Sequence, residues 1–178
     1  MPQPKSLIST SLGKKAVMAA SGVILFGFVL THMAGNLKMY LGRDAYNEYA
    51  EGLRALGAPL LPHGGALWIA RIVLLAAVLA HIVSAVQLPL QNRRARPSKY
   101  HAGGYVQADY AVRTMRWGGI ILLLFIVYHL LHFTLGTPGV HPNFIPGDVY
   151  HNVVTGFGNP VVSLIYVVAN LALGFHLY

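Results

Sequence analysis

Four histidines sit inside stretches that carry no charge. His32 lies in the uncharged run 16–37, His81 in 72–92, His129 in 117–137 and His176 in 160–178. Taken singly, each reads more readily as a hydrogen-bonded packing residue than as a ligand. Their depths change that reading. His32 follows Lys15 by 17 residues, roughly 25 Å along a helix, and His129 follows Arg116 by 13, roughly 20 Å. His81 precedes Arg93 by 12 residues, roughly 18 Å, and His176 lies 16 residues past Pro160. If the runs alternate in direction, His32 and His129 share one depth and His81 and His176 share another. Neutral imidazole is a strong axial ligand for haem iron, and two of them saturate the iron for electron transfer rather than oxygen binding. Two bis-histidine haems stacked across a bilayer would use all four.

The elements that must hold them follow from composition. Hydrophobic residues make up 55% of the 178, charged residues 10%, and the mean hydropathy is +0.54. Soluble domains carry about 25% charged residues, so the chain reads as an all-α integral membrane protein. A single transmembrane haem-binding domain over 1–178 is expected, with four spans at about 16–37, 66–92, 112–137 and 160–178. Each approaches the roughly 20 residues a spanning helix needs. The first span is too long for a cleavable signal peptide and lacks a small-residue exit. With no cysteine, disulfides, thiolate-bound iron–sulfur clusters and C-x-x-C-H haem attachment are excluded. The net charge of +8 would suit nucleic acid, but the basic residues flank apolar runs and no basic-aromatic motif accompanies them.

Nine of the thirteen basic residues fall in two places: Lys5, Lys14 and Lys15 near the amino terminus, and Arg93, Arg94, Arg96, Lys99, Arg113 and Arg116 in and beside the middle loop. Residues 138–159 contain no Lys or Arg. The positive-inside rule then puts the amino terminus and the middle loop in the cytoplasm, with the chain in the inner (cytoplasmic) membrane. Residues 5–14 and 43–56 are expected to be helical outside the spans. In 43–56, Tyr46, Tyr49, Ala50 and Leu53 share one face, as in an interfacial helix. Gly27, Ala34, Gly35, Gly118, Gly119 and Gly174 are small enough to let a macrocycle approach the backbone. Thr31, Ser84 or a backbone carbonyl could hold a ligand's second nitrogen. His63, His101, His141 and His151 fall in loops and read as solvated surface residues. His132, three residues from His129 on the same face, reads as a contact of a haem edge, of a quinone or merely of a neighbouring residue, with His129 as the ligand.

The blocks "SLGKKAVMAASG", "THMAGNLKMYLGRDAYNEYAEGLR", "LAHIVSAVQLPLQNRRARPSKY", "RTMRWGGIILLLFIVYHLLHFTLG" and "LGFHLY" resemble the succinate dehydrogenase cytochrome b558 subunit. That family is the single-chain dihaem membrane anchor of succinate:quinone oxidoreductases and fumarate reductases. The resemblance covers nearly the whole chain. It implies two haems b, with His32 and His129 ligating the distal one and His81 and His176 the proximal one. Family members have a fifth span without a haem ligand; the four here leave it as a separate segment or one lost by truncation.

The function so implied is electron transfer from a flavoprotein and iron–sulfur pair, docked on the cytoplasmic side, to a membrane quinone. The dihaem type points to menaquinone rather than ubiquinone. No dicarboxylate site is expected in this chain, which has no nucleotide-binding glycine motif. Quinone reduction takes up two protons, so Tyr40, Tyr46, Glu48, Glu51 and His132 are candidate quinone-site groups; Glu48 and Glu51 read equally well as a solvated helix face. Lys15, Arg71, Arg93, Arg94, Arg96 and Arg116 are candidates for haem propionates or partner contacts. A higher oligomer of the complex stays open. So do two other readings: a dihaem anchor of another respiratory enzyme, such as a hydrogenase or formate dehydrogenase, and a transporter or anchor using histidines as a proton relay.

Overall fold

The computed structural model describes residues 10–95 and 106–178, with side chains over 106–113 left aside. Arg96, Lys99, His101 and Lys5 therefore lie outside the described residues, as do residues 5–9 of the expected helix 5–14. The elements are α1 (Ser11–Asn36), a 3-10 turn (Leu37–Leu41), α2 (Arg43–Ala55), α3 (Gly65–Ala95), α4 (Val106–His129), a π turn (Leu130–Thr134), α5 (Val149–Phe157) and α6 (Pro160–Leu177). No strand occurs among the described residues. Among the described residues, four segments are long and apolar enough to cross a membrane: Ser11–Leu41, Gly65–Ala95, Thr114–Thr134 and Pro160–Leu177. The chain is an all-α, multi-pass membrane protein.

Local chemistry sets the helix ends. Thr10 Oγ1 accepts the Gly13 N–H at 3.0 Å and caps α1. Arg93 and Arg94 occupy the last turn of α3, where cations suit the negative end of the helix dipole. Asn159 Oδ1 accepts the Val161 N–H at 2.9 Å, and Pro160 follows in the first turn of α6, where its missing N–H costs nothing. Pro89 is carried inside α3, which runs on to Ala95. Beyond α4 the Leu135 N–H reaches back five residues to Leu130 O, 2.9 Å, and the Thr137 N–H to Leu131 O, 3.0 Å. Gly136, at φ +57°, then turns the chain under the Phe144 ring, leaving no space for a Cβ. The helical path thus ends at Thr134, short of the 137 expected from hydropathy.

The described residues cluster as two compact units, the first of residues 10–41 and 48–95 and the second of residues 42–47 and 106–178. In the first, α1 packs along α3. Gly35 of α1 lies so close to the Tyr49 ring that a Cβ would overlap it, and Lys38 Nζ sits over the same ring, 5.3 Å from its centroid. In the second, α4 packs along α6, with α5 against α6 and the π turn. There Arg43 pairs with Asp148, Asn47 Nδ2 donates to Asp148 Oδ1 at 2.9 Å, and the Tyr150 N–H donates to Asn47 Oδ1 at 3.0 Å. Outward-facing apolar side chains such as Val23, Ile72, Leu124 and Leu171 cover the four long helices, as lipid-facing surfaces require.

α5 is a helix where the sequence suggested only loop. Asp148 caps it by accepting the His151 N–H at 3.1 Å. Two side-chain bonds then fold the 137–148 segment onto it: Asn152 Oδ1 accepts the Ile145 N–H and Asn152 Nδ2 donates to Ile145 O, each at 2.8 Å.

Candidate functional site

The two units hold a histidine in the same way. In the first, His81 of α3 approaches α1, and its Nδ1 lies 3.1 Å from the Met18 carbonyl oxygen. Ser21 Oγ lies 3.4 Å from that nitrogen while bonding to the carbonyls of Val17 and Met18. Gly22, one residue on, faces the ring: a Cβ there would stand 3.4 Å from His81 Cε1. In the second unit, His176 of α6 approaches α4, and its Nδ1 lies 3.1 Å from the Met115 carbonyl oxygen. Gly118 and Gly119 face that ring, with Cβ positions 3.5 Å from His176 Cβ and Cε1 respectively.

The registers match as well. Met18 precedes His32 by 14 residues, and Met115 precedes His129 by 14. Gly22 and Gly119 each follow the methionine by four. Each helical pair therefore carries a histidine toward one end of its first helix. Near the other end, a carbonyl and a glycine receive the histidine of its second helix. A carbonyl accepting from Nδ1–H fixes the tautomer whose lone pair sits on Nε2. Metal-binding histidines are characteristically held in this manner.

His32 and His129 occupy different surroundings. The His32 ring stacks on Phe28, 5.2 Å between centroids and 20° between planes. Thr31, a candidate for holding it, instead donates within its own helix toward the carbonyls of Gly27 and Phe28, 3.1 and 3.0 Å away. His129 Nδ1 lies 3.2 Å from the Tyr166 hydroxyl of α6, and His132 Nδ1 lies 3.0 Å from the same oxygen. The hydroxyl is fixed by ring contacts, with Phe125 and Phe157 edge-on to Tyr166 at 4.9 and 4.8 Å.

His132 is 1% exposed and stacks on Tyr128. It also lies against His141, 4.7 Å between ring centroids. His141 was expected to be a solvated loop residue; it is 3% exposed. Its Nε2–H donates to the Asn152 carbonyl at 2.8 Å, and its turn is folded inward by the Asn152–Ile145 pair. Gly156 makes the approach possible, since a Cβ there would stand 2.9 Å from His132 Cε1 and 3.1 Å from His141 Nε2. His63 and His151 keep accessible surfaces and bond locally, His63 Nε2 to Glu51 at 2.8 Å and His151 Nε2 to Asn143 O at 3.0 Å.

The other sequence candidates fall in both units. Glu51 belongs to the first unit, where hydrogen bonding from His63, with lesser help from Arg54, holds its carboxyl below the usual carboxylate range. His132 and the buried Tyr46 belong to the second. Tyr40 is largely exposed, Glu48 is exposed, and neither is joined to Glu51 by any described hydrogen bond. The Arg71 guanidinium stacks over Trp68, 4.9 Å from the ring centroid. Lys15, Arg93, Arg94 and Arg116 are exposed on their helices, and Arg96 lies outside the described residues. Hydrogen bonds from Asn47 and the His151 N–H, with the Arg43 guanidinium, hold the Asp148 carboxyl below its ordinary range.

Among the described residues, no three His, Cys, Asp or Glu side chains converge as a metal cage. Comparison with protein-family models, curated proteins and solved structures gives no match.

Proposed function

We propose that the chain is a dihaem cytochrome b: the membrane anchor of a succinate:quinone oxidoreductase, carrying electrons from an iron–sulfur subunit to a membrane quinone. The observation that carries this reading is the repeated histidine hold. His81 and His176 each offer Nδ1 to a backbone carbonyl of the neighbouring helix, Met18 or Met115, at 3.1 Å. That choice of tautomer puts the lone pair of each ring on Nε2, as an axial ligand requires. A haem, if bound, would be held by such imidazoles in pairs. The glycines beside both rings let the imidazoles approach the facing helix closely.

His32 and His129 as one ligand pair, and His81 and His176 as the other, follow from sequence depth. Haem supplies one-electron transfer when bound; the chain's own residues orient the imidazoles and exclude water. The assignment to succinate:quinone oxidoreductase, with flavoprotein and iron–sulfur partners on the cytoplasmic side and menaquinone as acceptor, rests on the sequence blocks resembling cytochrome b558. Tyr40, Tyr46, Glu51 and His132 remain the proposed quinone-site groups, and the cluster around His132 is the most enclosed.

A pyridine haemochrome assay on the purified complex, with its subunits identified, tests both levels. Two haems b per chain and co-purifying flavoprotein and iron–sulfur subunits are expected. One haem or none per chain sinks the dihaem reading, and different partner subunits sink the succinate assignment alone.

A further inference from the structure

We propose that Tyr166 is the positioning residue of His129 as an iron ligand, acting through a one-way hydrogen-bonded chain that ends at the buried His132. The proposal rests on the dihaem reading and adds to it a residue that sets the properties of one haem.

The chain's direction follows from counting protons. A hydroxyl has one proton to give and lone pairs to receive others. An imidazole that ligates through Nε2 carries its proton on Nδ1, so His129 Nδ1–H donates to Tyr166 Oη across 3.2 Å. The Tyr166 proton then goes to His132 Nδ1 at 3.0 Å, which leaves the His132 proton on Nε2. Each of these two bonds then pairs one donor with one acceptor.

Packing holds the relay in place. Tyr166 is clasped edge-on by Phe125, Phe157 and Phe133, with centroids 4.9, 4.8 and 5.8 Å away. His132 is pinned between Tyr128 and His141, and Gly156 gives it room. His141 is tied to the main chain through Asn152 O. A hydroxyl that donates onward is a better acceptor, because hydrogen bonds in a chain polarise one another. His132 thus strengthens the hold of Tyr166 on His129.

This arrangement sets His129 apart from His81 and His176. Those two donate to main-chain carbonyls, acceptors that a side-chain substitution leaves in place. His129 donates to a phenol, which a single substitution removes. Accepting the Nδ1–H raises the basicity of the ligating nitrogen and so favours oxidised iron. Removing the hydroxyl should move the haem on His129 to a higher midpoint potential and leave the other unchanged.

The test is an optical redox titration of the haem-loaded chain in its native membranes, comparing wild type, Tyr166→Phe and His132→Leu. His129→Ala identifies, by its loss, the spectral component that belongs to His129. Phenylalanine keeps the ring contacts of Tyr166, so both haems should be retained. The His129 component should shift upward in potential in Tyr166→Phe, and by a smaller amount in the same direction in His132→Leu. Unchanged potentials in Tyr166→Phe with both haems present overturn the proposal. If Tyr166→Phe loses its haem, His132→Leu decides, since Tyr166 is then intact: a shift supports the relay, and no shift overturns it. A wild-type chain with no haem overturns the dihaem reading, and this proposal with it.

Discussion

The Met115 carbonyl oxygen lies 3.1 Å from His176 Nδ1, across the packed pair α4 and α6. The same relationship joins Met18 and His81 across α1 and α3 at the same distance. Because the acceptor is main chain, the side chain at the methionine position is not what the bond requires. In both pairs the carbonyl stands 14 residues before the histidine on its own helix, and a glycine four residues on faces the received ring.

The first prediction concerns those glycines. A Cβ at Gly119 would stand 3.5 Å from His176 Cε1, an ordinary contact, so Gly119→Ala should be tolerated. Gly119→Leu adds three further carbons where the ring lies and should push it from the Met115 carbonyl. Reduced-minus-oxidised spectra should show both haem components in Gly119→Ala and only one in Gly119→Leu. Retention of both by the leucine variant would mean the ring does not need this wall.

Asn152 tests the second unit. Its side chain satisfies both backbone groups of Ile145, and its own carbonyl receives His141. Asn152→Asp keeps the acceptor for the Ile145 N–H but turns the donor toward Ile145 O into a second acceptor. One buried group left unsatisfied costs about 1–3 kcal/mol. Thermal unfolding in detergent should register a loss of that order, with no change in the absorption of a haem bound through His81 and His176.

Much of this arrangement could be read before the fold was known, and the exceptions have a common cause. Runs between charges located the four long helices, because lipid imposes a length and excludes charge. Tyr46, Tyr49, Ala50 and Leu53 do form the less exposed face of α2. Tyr166 was passed over because a tyrosine within an apolar run carries no spacing signal; its role comes from two rings of another helix converging on it. His141 looked solvated because its burial depends on Asn152, eleven residues away, folding the turn inward. The π turn that carries His132 is invisible to a 3.6-residue periodicity. α5 is only nine residues long, too short to register beside runs of about 20 apolar residues.

Acid should loosen the attachment of Arg43 and Asn47 to Asp148. Asn47, the His151 N–H and Arg43 hold the folded-state pKa of Asp148 below its unfolded value, which for aspartate is about 3.9. A depressed carboxyl pKa contributes stability that is fully present above the unfolded value and is lost as pH falls through the folded one. Protease sensitivity of residues 138–148 should therefore rise on acidification below about pH 4. In Asp148→Asn the neutral-pH sensitivity should already be raised, and the acid-dependent increase should be smaller. An identical acid profile in both proteins would assign the transition to other groups.

The last prediction is the pairing of ligands. His32 and His129 stand toward the far ends of spans that begin beside Lys15 and Arg116, while His81 and His176 stand toward the close of spans running in the opposite sense. If depth pairs them, His32→Ala and His129→Ala should abolish the same spectral component, and His81→Ala and His176→Ala should abolish the other. Alanine removes the ligand and leaves a cavity, so general loss of haem is the competing outcome. It can be separated by adding imidazole, a soluble stand-in for the missing side chain. Rescue should restore only the component that the mutation removed. Low-temperature difference spectra of membranes carrying each of the four variants provide the measurement. If His32→Ala and His81→Ala remove one component together, each helical pair binds its own haem, and the pairing by depth is wrong.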